Sequence, residues 1–125
     1  MGLSNPGLIK NFKAGAAIAK CRILKFDGNL DLIQGAAVAD KLIGVSTGIA
    51  SASGDRVDVV LSGITEVEYG GNVTGGDLLT TDANGKAVTA APAAGTNNRV
   101  IGVAMESGVS GDIGSVLIEQ GSVQG

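Results

Sequence analysis

The chain has no histidine and no tryptophan, and its 125 residues include one cysteine, two prolines and only two phenylalanines and one tyrosine. Without histidine, the commonest general base and the commonest neutral metal ligand are both missing. Neither a Ser-His-Asp triad nor a Cys-His pair can be assembled within one chain, and zinc needs more thiol and imidazole ligands than exist. Cys21 stands alone. It forms no intramolecular disulfide, which suits assembly in a reducing cytoplasm. It reads as a small core residue, because Lys20 and Arg22, which might activate a thiolate, point away from it along a strand. Scarce aromatics remove the stacking platforms on which single-stranded nucleic acid lies. A net charge of −3 with no basic stripe removes the electrostatic footprint as well, so no nucleic-acid partner is expected. No run reaches the ~18 apolar residues of a spanning helix. Residues 1–7 lack the charged-then-apolar order of a signal peptide, and no membrane partner is expected.

What is abundant is glycine, 21 residues where an average chain carries ~7%, set at turns between short runs of Val, Ile and Leu. Hydrophobic content is 44% with 17% charged residues, which argues against disorder. Gly-rich turns between short apolar runs argue for an all-β fold in one domain. The sequence also says nearly the same thing twice. Leu42-Ile43-Gly44-Val45-Ser46 returns as Val100-Ile101-Gly102-Val103-Ala104, Ser53-Gly54-Asp55 as Ser110-Gly111-Asp112, and Val59-Val60-Leu61 as Val116-Leu117-Ile118. Ile23 to Asp27 has a fainter echo in Leu78 to Asp82. Two units are too few for a solenoid, which needs at least ~3. They suit one compact domain with two pseudo-repeated halves, about 14–63 and 70–121.

Strands are expected at Ile18–Phe26 (with a bulge or burial on both faces), Lys41–Ile49, Arg56–Leu61, Thr65–Tyr69, Leu78–Asp82, Lys86–Ala90, Arg99–Met105 and Ser115–Glu119. Asp27-Gly28-Asn29 and Asn84-Gly85 read as hairpin turns, the first because Gly28 and Asn29 tolerate positive φ. Residues 35–42 allow one short helix, and Ala90–Asn98 reads as a loop. Glu66 and Glu68 form a solvated acidic face, and the Gly-Asp pairs are turns, not phosphate loops. Residues 1–13 read as an extended N-terminal arm that is not ordered alone, ahead of a single β domain over 14–125. In the arm Leu8, Ile9 and Phe12 are apolar anchors and Lys10 and Lys13 are cations suited to an acidic partner. Through Lys41 the chain holds six basic and three acidic residues, and beyond it three basic and nine acidic, a hint of one face made for a partner.

The motif string from Gly71-Asn72-Val73-Thr74-Gly75-Gly76-Asp77-Leu78-Leu79, through Asp82 and Asn84-Gly85-Lys86-Ala87-Val88, to Val100-Ile101-Gly102-Val103-Ala104-Met105-Glu106, Gly111-Asp112 and Val116-Leu117-Ile118 resembles bacteriophage head decoration (capsid cement) proteins. The resemblance covers residues 14 to 121. It implies a small Gly-rich β-barrel or β-tulip, a structural virion protein without catalytic residues or cofactor, located on the outer capsid surface after assembly in the host cytoplasm. Its implied partners are the phage major capsid protein and further copies of itself, a trimer favoured and a dimer possible. On this reading the arm residues Leu8, Ile9, Lys10, Phe12 and Lys13 pair with a sheet edge of a neighbouring subunit or capsid protein. Two alternatives are kept: a lipoyl or biotinyl-type carrier domain, which needs an exposed lysine at a hairpin tip and finds Lys86 near one, and a β domain of a tail fibre or adhesin.

Overall fold

The computed structural model describes residues 5–92 and 94–124, and among them nine strands and no helix. In chain order these are β1 (Asn5–Lys13), β2 (Ile23–Phe26), β3 (Leu32–Gln34), β4 (Leu42–Ser46), β5 (Arg56–Glu68), β6 (Leu78–Thr81), β7 (Ala87–Thr89), β8 (Asn97–Ala104) and β9 (Ile113–Gln124). They form a single sheet in the order β3-β2-β4-β5-β9-β8-β6-β7, with β1 also on β5, and every strand pairing is antiparallel. The sheet curls into a half-barrel. β1 overlaps β4 along Val59 and Val60 and overlaps β9 along Gly63 and Ile64. It therefore takes one edge of β5, while β4 and β9 divide the other.

The repeat is a repeat of pairing. Leu24 lies opposite Gly44 as Leu79 lies opposite Gly102, and Ile23 opposite Val45 as Leu78 opposite Val103. The hairpins match residue for residue, Lys25↔Ile33 with Thr80↔Val88 and Phe26↔Leu32 with Thr81↔Ala87. Gly44 and Gly102 are glycine for one reason: a Cβ at either would run into the carbonyl oxygen of the next strand, Val60 or Leu117. Both Gly-Asp turns close the same way. Asp55 accepts from the Ala52 N–H at 3.1 Å and Asp112 from the Val109 N–H at 2.9 Å.

The correspondence reaches further than the sequence suggested, because β1 belongs to it. Phe12 pairs with Val57 as Val67 pairs with Gly114, Asn11 with Asp58 as Glu66 with Ser115, and Ile9 with Val60 as Ile64 with Leu117. The expected separate arm, within its described residues 5–13, is the opening strand of the first half, paired to β5 of its own chain. The first four residues of the expected arm lie outside the described residues.

Other expectations shift for physical reasons. The two strands expected at 56–61 and 65–69 are one, β5, because each of its halves is held by its own partners. β8 starts inside the expected loop and β9 runs on to Gln124, because Asn97–Val100 pair with Gly121–Gln124. Only the end of the Ile18–Phe26 segment is strand, and the bulge expected there falls between Leu24 and Lys25. The expected short helix over residues 35–42 is absent: residues 37–40 form a turn, where the Asp40 carboxylate accepts from the Ala36 and Ala37 N–H groups at 2.9 Å each, and Leu42 opens β4. In the first hairpin the positive φ falls on Leu30 (63°), not on Gly28 or Asn29; its counterpart Gly85 has φ 75°.

Two core clusters fill the domain. Ala14, Ile18, Leu24, Leu32, Val57 and Val59 form the core of the first half, with Phe12 and Phe26 packed on it. The larger cluster joins Tyr69, Val73, Leu79, Ile101 and Val116 of the second half to Ile23, Val45 and Val60 of the first. The second half thus builds its core against the back of the first.

Candidate functional site

Of the five arm residues singled out, Lys10 and Lys13 are exposed, Leu8 is 55% and Ile9 47% exposed, and Phe12 is half-buried. Phe12 meets Phe26 edge-on, ring centroids 5.8 Å apart at 71°, and the Lys10 ammonium lies 5.9 Å from the Phe12 ring. Asn11 clips the strand to β5: its Nδ2 donates to Asp58 at 3.0 Å, and its Oδ1 accepts from the Arg56 Nε–H. Phe12 and Asn11 are thus spent on the body. Leu8, Ile9, Lys10 and Lys13 remain exposed along a strand whose outer edge has no strand partner among the described residues.

The two halves are joined by ions rather than by a solvated acidic face. Glu68 lies 3.2 Å from Arg22 Nη2 and 3.3 Å from Lys86 Nζ. Burial alone would lift the Glu68 carboxyl; the hydrogen bond from Lys86, then the charge and hydrogen bond of Arg22, outweigh it and hold the group below its ordinary value. Arg22 Nη1 and Gln34 Nε2 each donate to the Asn84 carbonyl at 2.9 Å, and the Ile23 N–H donates to the Gly85 carbonyl at 2.7 Å. The second hairpin tip is therefore seated on the first half, and Lys86 behind it is tied to Glu68. A carrier domain needs that tip and that lysine presented to a modifying enzyme, and the seat removes both.

Little here suits a small molecule. Burial pushes the Cys21 thiol up, Glu66 adding to the effect, which keeps it protonated and poorly nucleophilic. No group of three or more Cys, Asp or Glu among the described residues is placed to hold a metal ion. A cavity of about 160 Å³ beside Ile9, Cys21 and Thr65 falls below the ~300 Å³ at which ligand pockets begin. An open groove of about 500 Å³ runs past Phe26, Leu30 and Ile43, with the Lys25–Asp40 ion pair (2.9 Å) on its wall. Apart from β1, the sequence reading assigned none of the exposed apolar positions to a contact surface. Leu30 at the first hairpin tip, Leu78 and Leu117 become a pattern only once the strand register is known.

Comparison with known proteins points to a structural family. No curated protein matches the chain. The head fiber gp8.5 N base of bacteriophage phi29 has a similar fold, with a TM-score of 0.68 at 18% identity over 94% of this chain and 98% of that one. A model of the phage cement protein family matches residues 6–120, nearly the whole chain. The chain belongs to the phage cement protein family, structural proteins associated with the phage capsid.

Proposed function

We propose that this protein decorates the outer surface of an expanded phage head and braces it against internal pressure, with β1 as the strand that meets the major capsid protein. The observation that carries the reading is the open outer edge of β1 in a chain of the cement family. An edge strand presents main-chain donors and acceptors to a further strand, and flanking side chains supply the selectivity. Leu8 and Ile9 give apolar contact, Lys10 and Lys13 favour an acidic rim, and Phe12 holds the strand in place from behind. Many symmetric copies bind one shell, so each contact can be weak while the lattice gains by multivalency. Copies gather as a trimer at three-fold or quasi-three-fold positions. That adds buried area to a core with only three aromatic side chains. Assembly takes place on heads in the host cytoplasm.

The test is co-sedimentation with expanded heads of the encoding phage that lack this protein, together with the temperature at which those heads release DNA. The wild-type protein sediments with the heads and raises that temperature. The Lys10→Glu/Lys13→Glu double variant binds roughly tenfold more weakly, equivalent to about 1.4 kcal/mol, with unchanged folding. Undiminished binding by that variant removes β1 as the contact. Wild-type protein that stays in the supernatant removes decoration itself.

A further inference from the structure

The internal repeat leaves one plug and one socket unfilled on the same chain. In the first half, the cross-strand row Ile23–Val45–Val60–Ile9 is buried in the larger core from Ile23 to Val60, with Ile9 at its far end 47% exposed, and the tip of the second hairpin sits at the near end on Ile23. The matching row in the second half is Leu78–Val103–Leu117–Ile64, set side by side by register and therefore on one face of the sheet. Here Leu78 is 41% and Leu117 36% exposed, and Val103 and Ile64 are half-buried. The tip of the first hairpin is uncovered too. Its Leu30 is 73% exposed, and the Leu30 carbonyl receives no bond from the Leu78 N–H to match the one that Gly85 takes from Ile23.

The chemistry has changed in a matched way on both sides. In the filled socket Arg22 and Gln34 are polar pins that donate to the Asn84 carbonyl. Their counterparts in the open socket, Asp77 and Thr89, bond each other, Thr89 Oγ1 donating to Asp77 at 2.9 Å. In the filled plug the tip residue is Gly85, close against the Ile23 carbonyl and the Gln34 side chain. In the open plug it is leucine, held at a φ of 63° that an L side chain adopts only at a cost. Both changes turn a hydrogen-bonded contact into an apolar one.

We infer that the Leu30 hairpin tip of one copy docks on the Leu78–Val103–Leu117 row of another, head to tail. Contacts of this kind close into rings when the rotation between copies permits. The contact repeats only the tip and its seat, because carrying the whole half-to-half relation forward would lay β1 of the incoming copy where the end of β9 already lies. The occupant is a second copy because the repeat itself shows what such a row receives, and the one such tip left uncovered belongs to this same chain. The inference does not depend on the capsid reading, and its assay contains only this protein.

Leu30→Cys and Leu78→Cys are made as separate variants, mixed at millimolar concentration under mild oxidation, and the linked peptides identified by mass spectrometry. The buried Cys21 stays out of the exchange. The expected result is a dominant 30–78 link between copies, with the double variant giving covalent species larger than dimers. Mixtures that give only 30–30 and 78–78 links, or no link, overturn the inference. Leu30→Gly supplies the second reading, because it relieves the backbone while removing the plug. Thermal stability is retained or raised, and the concentration dependence of sedimentation is lost. Self-association that is absent from the wild type, or survives in Leu30→Gly, also overturns it.

Discussion

At the scale of single residues, the two halves solve one packing problem with different volumes. Tyr69 occupies the place of Ala14, as their matching bridges to Ala87 and Leu32 indicate. Its ring fills the space that a Cβ on Gly114 would need, and its hydroxyl donates to the Glu106 carbonyl at 2.8 Å. The first half has Val57 where the second has Gly114, and Leu32 where the second has Ala87. A large-small-small trio thus stands against a small-medium-large one, which is how a close-packed interior conserves volume. Tyr69→Ala is expected to cost about 3–5 kcal/mol, the range for emptying an aromatic site. Adding Gly114→Val and Ala87→Leu transplants the trio of the first half and recovers roughly half of that loss, since residues in contact couple strongly. Urea unfolding of the single and triple variants checks this; a triple variant less stable than Tyr69→Ala would mean that the halves are not interchangeable in packing.

At the scale of elements, most hairpins were legible because turn chemistry is local. Asn84-Gly85 and both repeated Gly-Asp turns fall where their residues put them. β1 was legible as an extended segment but not as a strand of its own chain, since its partners Arg56–Ile64 lie more than forty residues on. One signal was available: Ile9, Phe12 and Gly15 keep the spacing of Ile64, Val67 and Gly70. The charges between them are reversed, lysines in one and glutamates in the other, which hid the likeness. The candidate contact residues of β1 were therefore named from sequence, while the edge they sit on was not. The Leu78–Val103–Leu117–Ile64 row was invisible for a related reason, as its members come from four strands and only register aligns them. Placing Phe12 against Phe26 and the smaller core has a measurable consequence. Phe12→Ala is expected to destabilise the isolated domain by roughly 2–3 kcal/mol, somewhat below the cost for a fully buried ring. Lys10→Glu and Lys13→Glu, both at exposed positions of the same strand, should stay within about 0.5 kcal/mol of wild type. Urea midpoints of the three variants separate the part of β1 that holds the body from the part that faces outward; equal effects would contradict that division.

At the scale of the whole molecule, the halves are fastened by a seated hairpin and by Glu68 between Arg22 and Lys86, and stability should follow the titration of those groups. Glu68 is held below its ordinary 4.5 and Asp40 below 3.8, the latter because hydrogen bonds from the Ala36 and Ala37 N–H groups and from Lys25 outweigh its burial. Each group therefore contributes stability that is complete above its unfolded value and is lost as pH falls through the lower folded one. Tyr69 has the opposite sign. Burial, with the nearby charges of Glu106 and Asp112, pushes its phenol from 10.0 up to about 12. Its contribution is complete below 10.0 and is lost as pH rises toward about 12. Between these limits the chain offers no histidine, the one side chain whose ordinary charge change falls between pH ~5 and 8. The expected profile of urea midpoints is thus a plateau through neutrality, an acid limb that begins as pH falls into the ordinary carboxylate range and continues below it, and an alkaline limb as the buried thiol and phenol ionise. Glu68→Gln removes the charge that binds Arg22 and Lys86, so it lowers the plateau and makes the acid limb shallower. Tyr69→Phe leaves the acid limb in place and removes the tyrosinate part of the alkaline one, leaving the contribution of the Cys21 thiol, which burial also raises. An acid limb as steep in Glu68→Gln as in the wild type would mean that the junction of the halves does not rest on this carboxylate.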